Sequence, residues 1–353
     1  MTRGLLTSVL FGALAAAPAE APATIVLAAH GKQPRVAVSS EGTVAVAYGQ
    51  GDEIFCRVSR DGGGHYGEPV RVGRLERLML GMRRGPQIAA VGSTFVVTAI
   101  GGEGALVSWR SSDAGRSWGG PTLVNDRPAS AREGLHALAA GARAVHVVWL
   151  DLRDDRTKIF ASRSLDGGKS WEANHQLYES PDGTVCECCQ PTVAADDKGG
   201  VAVMWRNSFG GSRDMFLARS TDDGRSFGEP QKLGEGSWRL NACPMDGGGV
   251  AVSGARVATV WRREEIVYTA APGQAETSLG PGRNATVAFG PDGASIAWQN
   301  ELGAILLQRS GSKPELVGRG KFPAFGFAAS GSRTLILAWE DPESGAVARV
   351  VSP

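Results

Sequence analysis

Short apolar runs with a period of two recur along the chain. Gly199-Gly200-Val201-Ala202-Val203-Met204-Trp205 reads as one strand and Asp214-Met215-Phe216-Leu217-Ala218-Arg219 as the next. The run that ends in tryptophan comes back as Val145-His146-Val147-Val148-Trp149, Val257-Ala258-Thr259-Val260-Trp261, Ala294-Ser295-Ile296-Ala297-Trp298 and Thr334-Leu335-Ile336-Leu337-Ala338-Trp339. Counting these runs as the second strand of each repeat gives seven repeats. Glycine, at 49 of 353 residues, is about twice its usual share, which fits a chain of many tight turns.

Four of the turns share one pattern: Ser59-Arg60-Asp61-Gly62-Gly63-Gly64-His65-Tyr66, Ser111-Ser112-Asp113-Ala114-Gly115-Arg116-Ser117-Trp118, Ser164-Leu165-Asp166-Gly167-Gly168-Lys169-Ser170-Trp171 and Ser220-Thr221-Asp222-Asp223-Gly224-Arg225-Ser226-Phe227. Their aspartates recur every 52 to 56 residues. The chemistry is that of a tight turn. Asp accepts from nearby backbone N–H groups, Gly takes the positive φ, and the aromatic pins the turn to the sheet. These turns are similar to the Asp-boxes, or BNR repeats, of sialidase-like β-propellers. The resemblance implies an all-β chain folded as one β-propeller over residues 24–353. The seventh repeat ends at Pro353 after three strands, and Thr24-Ile25-Val26-Leu27-Ala28 can supply its fourth. A seven-bladed ring closed by its terminal strands leaves no open sheet edge. Six blades, the number in sialidases of this type, is the alternative.

In such a ring the boxes lie on the lower face and are structural. The upper face carries the starts of the inner strands and the loops between second and third strands. The starts read Lys32-Gln33-Pro34, Arg83-Arg84-Gly85-Pro86, Arg132-Glu133-Gly134, Cys188-Cys189-Gln190-Pro191, Asn241-Ala242-Cys243-Pro244, Arg283-Asn284 and Lys321-Phe322-Pro323, and five of the seven begin with a cation. The loops add Asp151, Arg206, Arg213, Asp214, Arg262 and Glu264. A ring of cations with interspersed carboxylates suits an acidic glycan or a small anionic ligand, arginine being a bidentate clamp for carboxylates. A solvated rim of charged loops is the plainer reading.

The sialidase resemblance implies an arginine triad, an Asp acid/base and a tyrosine nucleophile paired with a glutamate. Lys32-Gln33-Pro34 stands where the first R-x-P arginine belongs, and Arg84-Gly85-Pro86 keeps that motif one blade later. Arg206, Arg213 and Arg262 are further triad candidates, with Arg132 and Arg283 as additional rim cations. Asp151 or Asp214 would be the acid/base. Of the four tyrosines, Tyr268 lies near Glu264 and Glu265 in sequence and is the nucleophile candidate, with Glu264 as its partner. An enzyme of this kind would be an exo-α-sialidase-like glycoside hydrolase. A narrower resemblance, carried by CECCQP, MWRN, GSRDM, NACPMDGG and WRRE, is to a set of exported bacterial sialidase-like proteins.

Residues 1–23, MTRGLLTSVLFGALAAAPAEAPA, have the charged start, short apolar run and A-x-A sites of a cleaved signal peptide, so a secreted or periplasmic protein is expected. No other run is long and apolar enough to suggest a membrane span. The net charge of +1 argues against nucleic acid. The chain is expected as a monomer. Export bears on the five cysteines. Cys186, Cys188, Cys189 and Cys243 fall at the starts of neighbouring blades and should meet at the upper mouth, with Met245 and Asp246 close by. An oxidising compartment favours a disulfide from Cys243 to one of the three. A soft metal, copper or zinc, held by the thiolates is the sharper alternative, and a redox role for the vicinal pair is a third. Cys56 reads as a core cysteine. A non-catalytic interaction scaffold remains open beside the glycan and metal readings.

Overall fold

A computed structural model describes residues 23–353; the expected signal peptide lies outside the described residues except for Ala23. The described chain forms seven four-stranded sheets and no helix. The first blade runs through Lys32–Val38, Val44–Gln50, Glu53–Ser59 and Val70–Arg74, each strand antiparallel to the one before. The next five blades repeat this order, their inner strands being Gln87–Val91, His136–Ala140, Thr192–Ala195, Gly249–Ser253 and Arg283–Gly290. The seventh is built from Lys321–Phe327, Leu335–Asp341 and Gly345–Val351, with Ile25–Ala28 as its outermost strand. Ile25 pairs with Ala348, Val26 with Val347 and Ala28 with Ala346. The ring is therefore seven-bladed and closed by both ends of the described chain.

The second strands explain the tryptophan-ended runs. Val145–Asp151 and Val201–Arg206 are buried at every position, because each blade is covered on both faces by its neighbours. Trp149, Trp205, Trp298 and Trp339 are fully buried there. The core is distributed between blades. Ile54 and Val72 of the first blade pack with Val97 and Trp109 of the second, and Val148 and Ile159 of the third with Val203 and Ala218 of the fourth.

The four boxes adopt one geometry. Ser111 Oγ donates to Asp113 Oδ1 at 2.7 Å and accepts from Gly115 N at 2.8 Å, while Ser117 N donates to Asp113 at 3.0 Å. The boxes at Ser59, Ser164 and Ser220 close in the same way. The box glycine has a second duty. A Cβ on Gly63 would come within 2.6 Å of Ile336 in the seventh blade, and one on Gly115 within 2.6 Å of Val58 in the first. The turn thus docks each blade onto its predecessor, on the face opposite the starts of the inner strands.

Candidate functional site

The cysteine-bearing loop joins the outer strand of the third blade, His175–Tyr178, to the inner strand of the fourth. Backbone bonds pin it to the upper ends of the third and fourth blades: Val185 N donates to Thr157 O at 2.9 Å and Cys186 N to Arg206 O at 3.0 Å. A turn from Cys186 O to Cys189 N folds the three thiols together. Cys186 Sγ lies 3.1 Å from Cys189 Sγ and 3.8 Å from Cys188 Sγ. All three sulfurs sit within 4.8 Å of one another and are buried. Met245, half-buried, packs against them from the loop that leads into the fifth blade.

Two buried guanidinium groups flank this cluster. Arg206 donates from Nε to Asp246 O at 3.0 Å, from Nη1 to Arg213 O at 2.7 Å and from Nη2 to Arg262 O at 2.8 Å. Arg83 starts from the second blade and reaches across the ring. It donates to Gln190 Oε1 of the fourth blade at 3.0 Å, and to Asp246 Oδ1 at 3.4 Å and Gly248 O at 3.2 Å beside the fifth. Asp246 also accepts from Asn284 N at 2.9 Å, which ties in the sixth blade. The upper end of the axis is therefore spanned by a polar network.

The electrostatics favour one negative charge on the cluster. Burial works against a thiolate at Cys189. Thiol hydrogen bonds from Cys186 and Cys188, the Arg206 charge and the Asp246 backbone N–H outweigh burial and hold Cys189 well below the usual thiol range. Cys188 is pushed far up by its two sulfur neighbours. Chemically this is a compact donor set with three soft atoms, a thioether at its side and cationic surroundings.

The remaining sequence-predicted residues are dispersed. Cys243 is exposed and stands apart from the cluster, and all five cysteines are free thiols, so the structure holds no staple from Cys243. Cys56 is buried in the core, where burial pushes its thiol up to about 12. Arg206 is no rim cation: it is 1% exposed and its guanidinium is used by three carbonyls. Asp151 is fully buried and takes Trp149 Nε1 at 2.8 Å and Arg153 Nε at 2.9 Å. Asp214 accepts from Trp238 N and Ser237 Oγ, both at 2.9 Å, and so fastens a loop. Tyr268 is stacked beside Trp261 at 6.3 Å between ring centroids, under Arg263. Glu264 is the left-handed residue of the turn that follows Arg263, and its side chain makes no hydrogen bond to Tyr268. A tyrosine–glutamate couple is not assembled at these two positions.

The rim cations are largely answered by the rim itself. Arg84 donates to Glu133 O at 2.6 Å, Arg132 meets Asp155 at 3.1 Å and Arg262 meets Glu265 at 2.8 Å. Lys32 and Lys321 converge on one buried carboxylate, Glu340, at 3.3 and 3.1 Å. Arg213 and Arg283 make no ion pair among the described residues. Sequence reasoning counted Arg83 among the cations that open the repeats and set Asp246 beside the cysteines, but it did not foresee the network that joins Arg83, Gln190 and Asp246. Gln190 and Asp246 lie inside the motifs already singled out, CECCQP and NACPMDGG, and Arg83 stands next to a chosen arginine.

No protein-family model matches the chain, and no curated protein sequence matches it. Among solved structures it is similar to the BP39L lectin of Burkholderia pseudomallei, with TM-score 0.64, 12% identity, and 91% of this chain and 96% of that one covered. The α-L-arabinanase of Penicillium chrysogenum gives TM-score 0.55 at 13% identity, over 93% of this chain and 97% of that one. The Hadza microbial sialidase Hz136 gives 0.54 at 14% identity, over 92% of this chain but 66% of its own. At such identities the likeness is one of fold, and the class it defines is the β-propeller.

Proposed function

We propose that this protein is a soft-metal-binding β-propeller that holds copper(I) through Cys186, Cys188 and Cys189. The observation that supports this reading is the burial of three sulfurs within 4.8 Å of one another, in a cluster of their own apart from the cores between blades. Three thiolates with a thioether beside them are a soft set, which selects copper(I). Structural zinc prefers four nitrogen or sulfur ligands, and the fourth atom at hand is a Met245 thioether. Arg83 and Arg206 would offset the negative charge that a thiolate complex carries. Metal titration of reduced protein against a copper(I) chelator, read by native mass spectrometry, tests it. One copper per chain is expected, with loss in Cys186→Ser and Cys189→Ser. Protein that fails to compete for copper, or a triple-serine variant that still holds it, would refute the reading.

A second reading rests on a different place. Lys32, Lys321 and Arg319 line a rim cavity of about 550 Å³ together with Glu340 and Asp341. The neighbours in fold include a lectin, a sialidase and an arabinanase complexed with arabinobiose. Both points support an acidic-glycan site, with binding rather than hydrolysis as its function. Calorimetry with sialic acid and uronic acids is the test. Binding that disappears in Lys321→Ala supports it, and an absence of heat with every acidic sugar counts against it.

A further inference from the structure

Below the network spanned by Arg83, the inner strands of all seven blades enclose an axial cavity of about 210 Å³. Its polar lining includes Arg35, Arg83, Gln87, Gln190, Thr192 and Thr286, with no carboxylate. Two guanidinium groups thus face one small space. Arg83 has Asp246 for a partner. Arg35 has none: its side chain makes no hydrogen bond or ion pair with any described residue, and its Nε is shut away from solvent without an acceptor. Arg35 is half-buried and lines the cavity. Burial, reinforced by the nearby Arg83 charge, pulls its guanidinium down to about 9, which reflects the cost of holding this cation unanswered. A cation held largely away from water with no counter-charge is costly.

We infer that the axial cavity is an anion site, in which Arg35 binds a small inorganic oxyanion of the phosphate or sulfate class. A guanidinium offers such an ion a planar fork of N–H donors. The size fits. At about 30 Å³ per water the space holds roughly seven waters, and it falls below the ~300 Å³ at which drug-sized ligand sites begin. It suits one oxyanion with part of its shell and excludes an oligosaccharide. The site shares Arg83 with the surroundings of the thiol cluster, but it rests on Arg35 and requires no metal, so its failure would leave the copper reading standing.

Thermal unfolding in phosphate, against chloride at matched ionic strength, tests the site in wild type and in Arg35→Met, which keeps the length of the stem. Wild type should gain about 2–4 °C between 1 and 50 mM phosphate, and Arg35→Met should gain nothing. The two should also cross. Without phosphate the variant should be at least as stable as wild type, since an unpaired buried cation is gone. Equal phosphate gains in both proteins, or none in wild type, would overturn the assignment. A crystal grown with selenate gives an answer independent of how the variant folds. An anomalous peak within hydrogen-bonding distance of Arg35 supports the site, and a channel holding water alone refutes it.

Discussion

Arg206 shows how a charged residue can serve architecture. It ends a second strand, where a loop cation would face solvent, yet it is buried and joins the carbonyls of Asp246, Arg213 and Arg262. Each carbonyl left buried without a donor costs about 1–3 kcal/mol. Arg206→Met should therefore destabilise the protein by more than about 3 kcal/mol in urea unfolding. If the residue were a rim clamp instead, the variant would keep its stability and lose only ligand affinity. Asp151 belongs to the same category, its oxygens taken by Trp149 and Arg153. Sequence placed both among the functional residues because residue type and loop position are visible there. Burial is not, since it depends on which neighbouring loop folds over the position. The cysteines are the converse case. Their clustering was legible because three lie within four positions, whereas the exposure of Cys243 is set by the path of a loop in the next blade.

The repeated turn is the element that the sequence announces most clearly, and its four copies differ little in the structure. Their aspartates accept both hydroxyl and backbone N–H donors. Ser117 and Ser111 hold Asp113, and Ser220 and Ser226 hold Asp222, well below the usual carboxylate range. A carboxylate depressed in the folded state adds stability that is complete above its unfolded value of about 3.9 and is lost as the pH falls through the folded value. The protein should therefore lose stability on acidification below about pH 4–5, and Asp113→Ala should flatten that loss. Urea midpoints measured from pH 7 to pH 3 decide the matter; a variant whose midpoint falls in parallel with wild type would show that the boxes do not titrate with folding. The strands and turns could be read because alternation and turn chemistry are local. The reach of Arg83 to Asp246 could not, because 163 residues separate them and only the ring brings them together.

At the scale of the molecule, the ring depends on one strand borrowed from the other end of the chain. Removing residues 23–28 would uncover the edge of Gly345–Val351. The expected result is a lower Tm together with self-association through the open edge, visible by light scattering after gel filtration. A truncated chain that stays monomeric and melts as wild type does would mean that three strands suffice for the last blade.

The same pairing has a consequence in time. Ile25 finds Ala348 only after every blade between them has been made, so this contact closes a loop of nearly the whole described chain. Contacts of such separation form late and slowly, because the entropy of closure comes due before the contact repays it. Until then the chain is a crescent with two raw ends. During refolding, amide protection should therefore arise within blades first. The backbone of residues 25–28 should gain it last, as the crescent becomes a wheel.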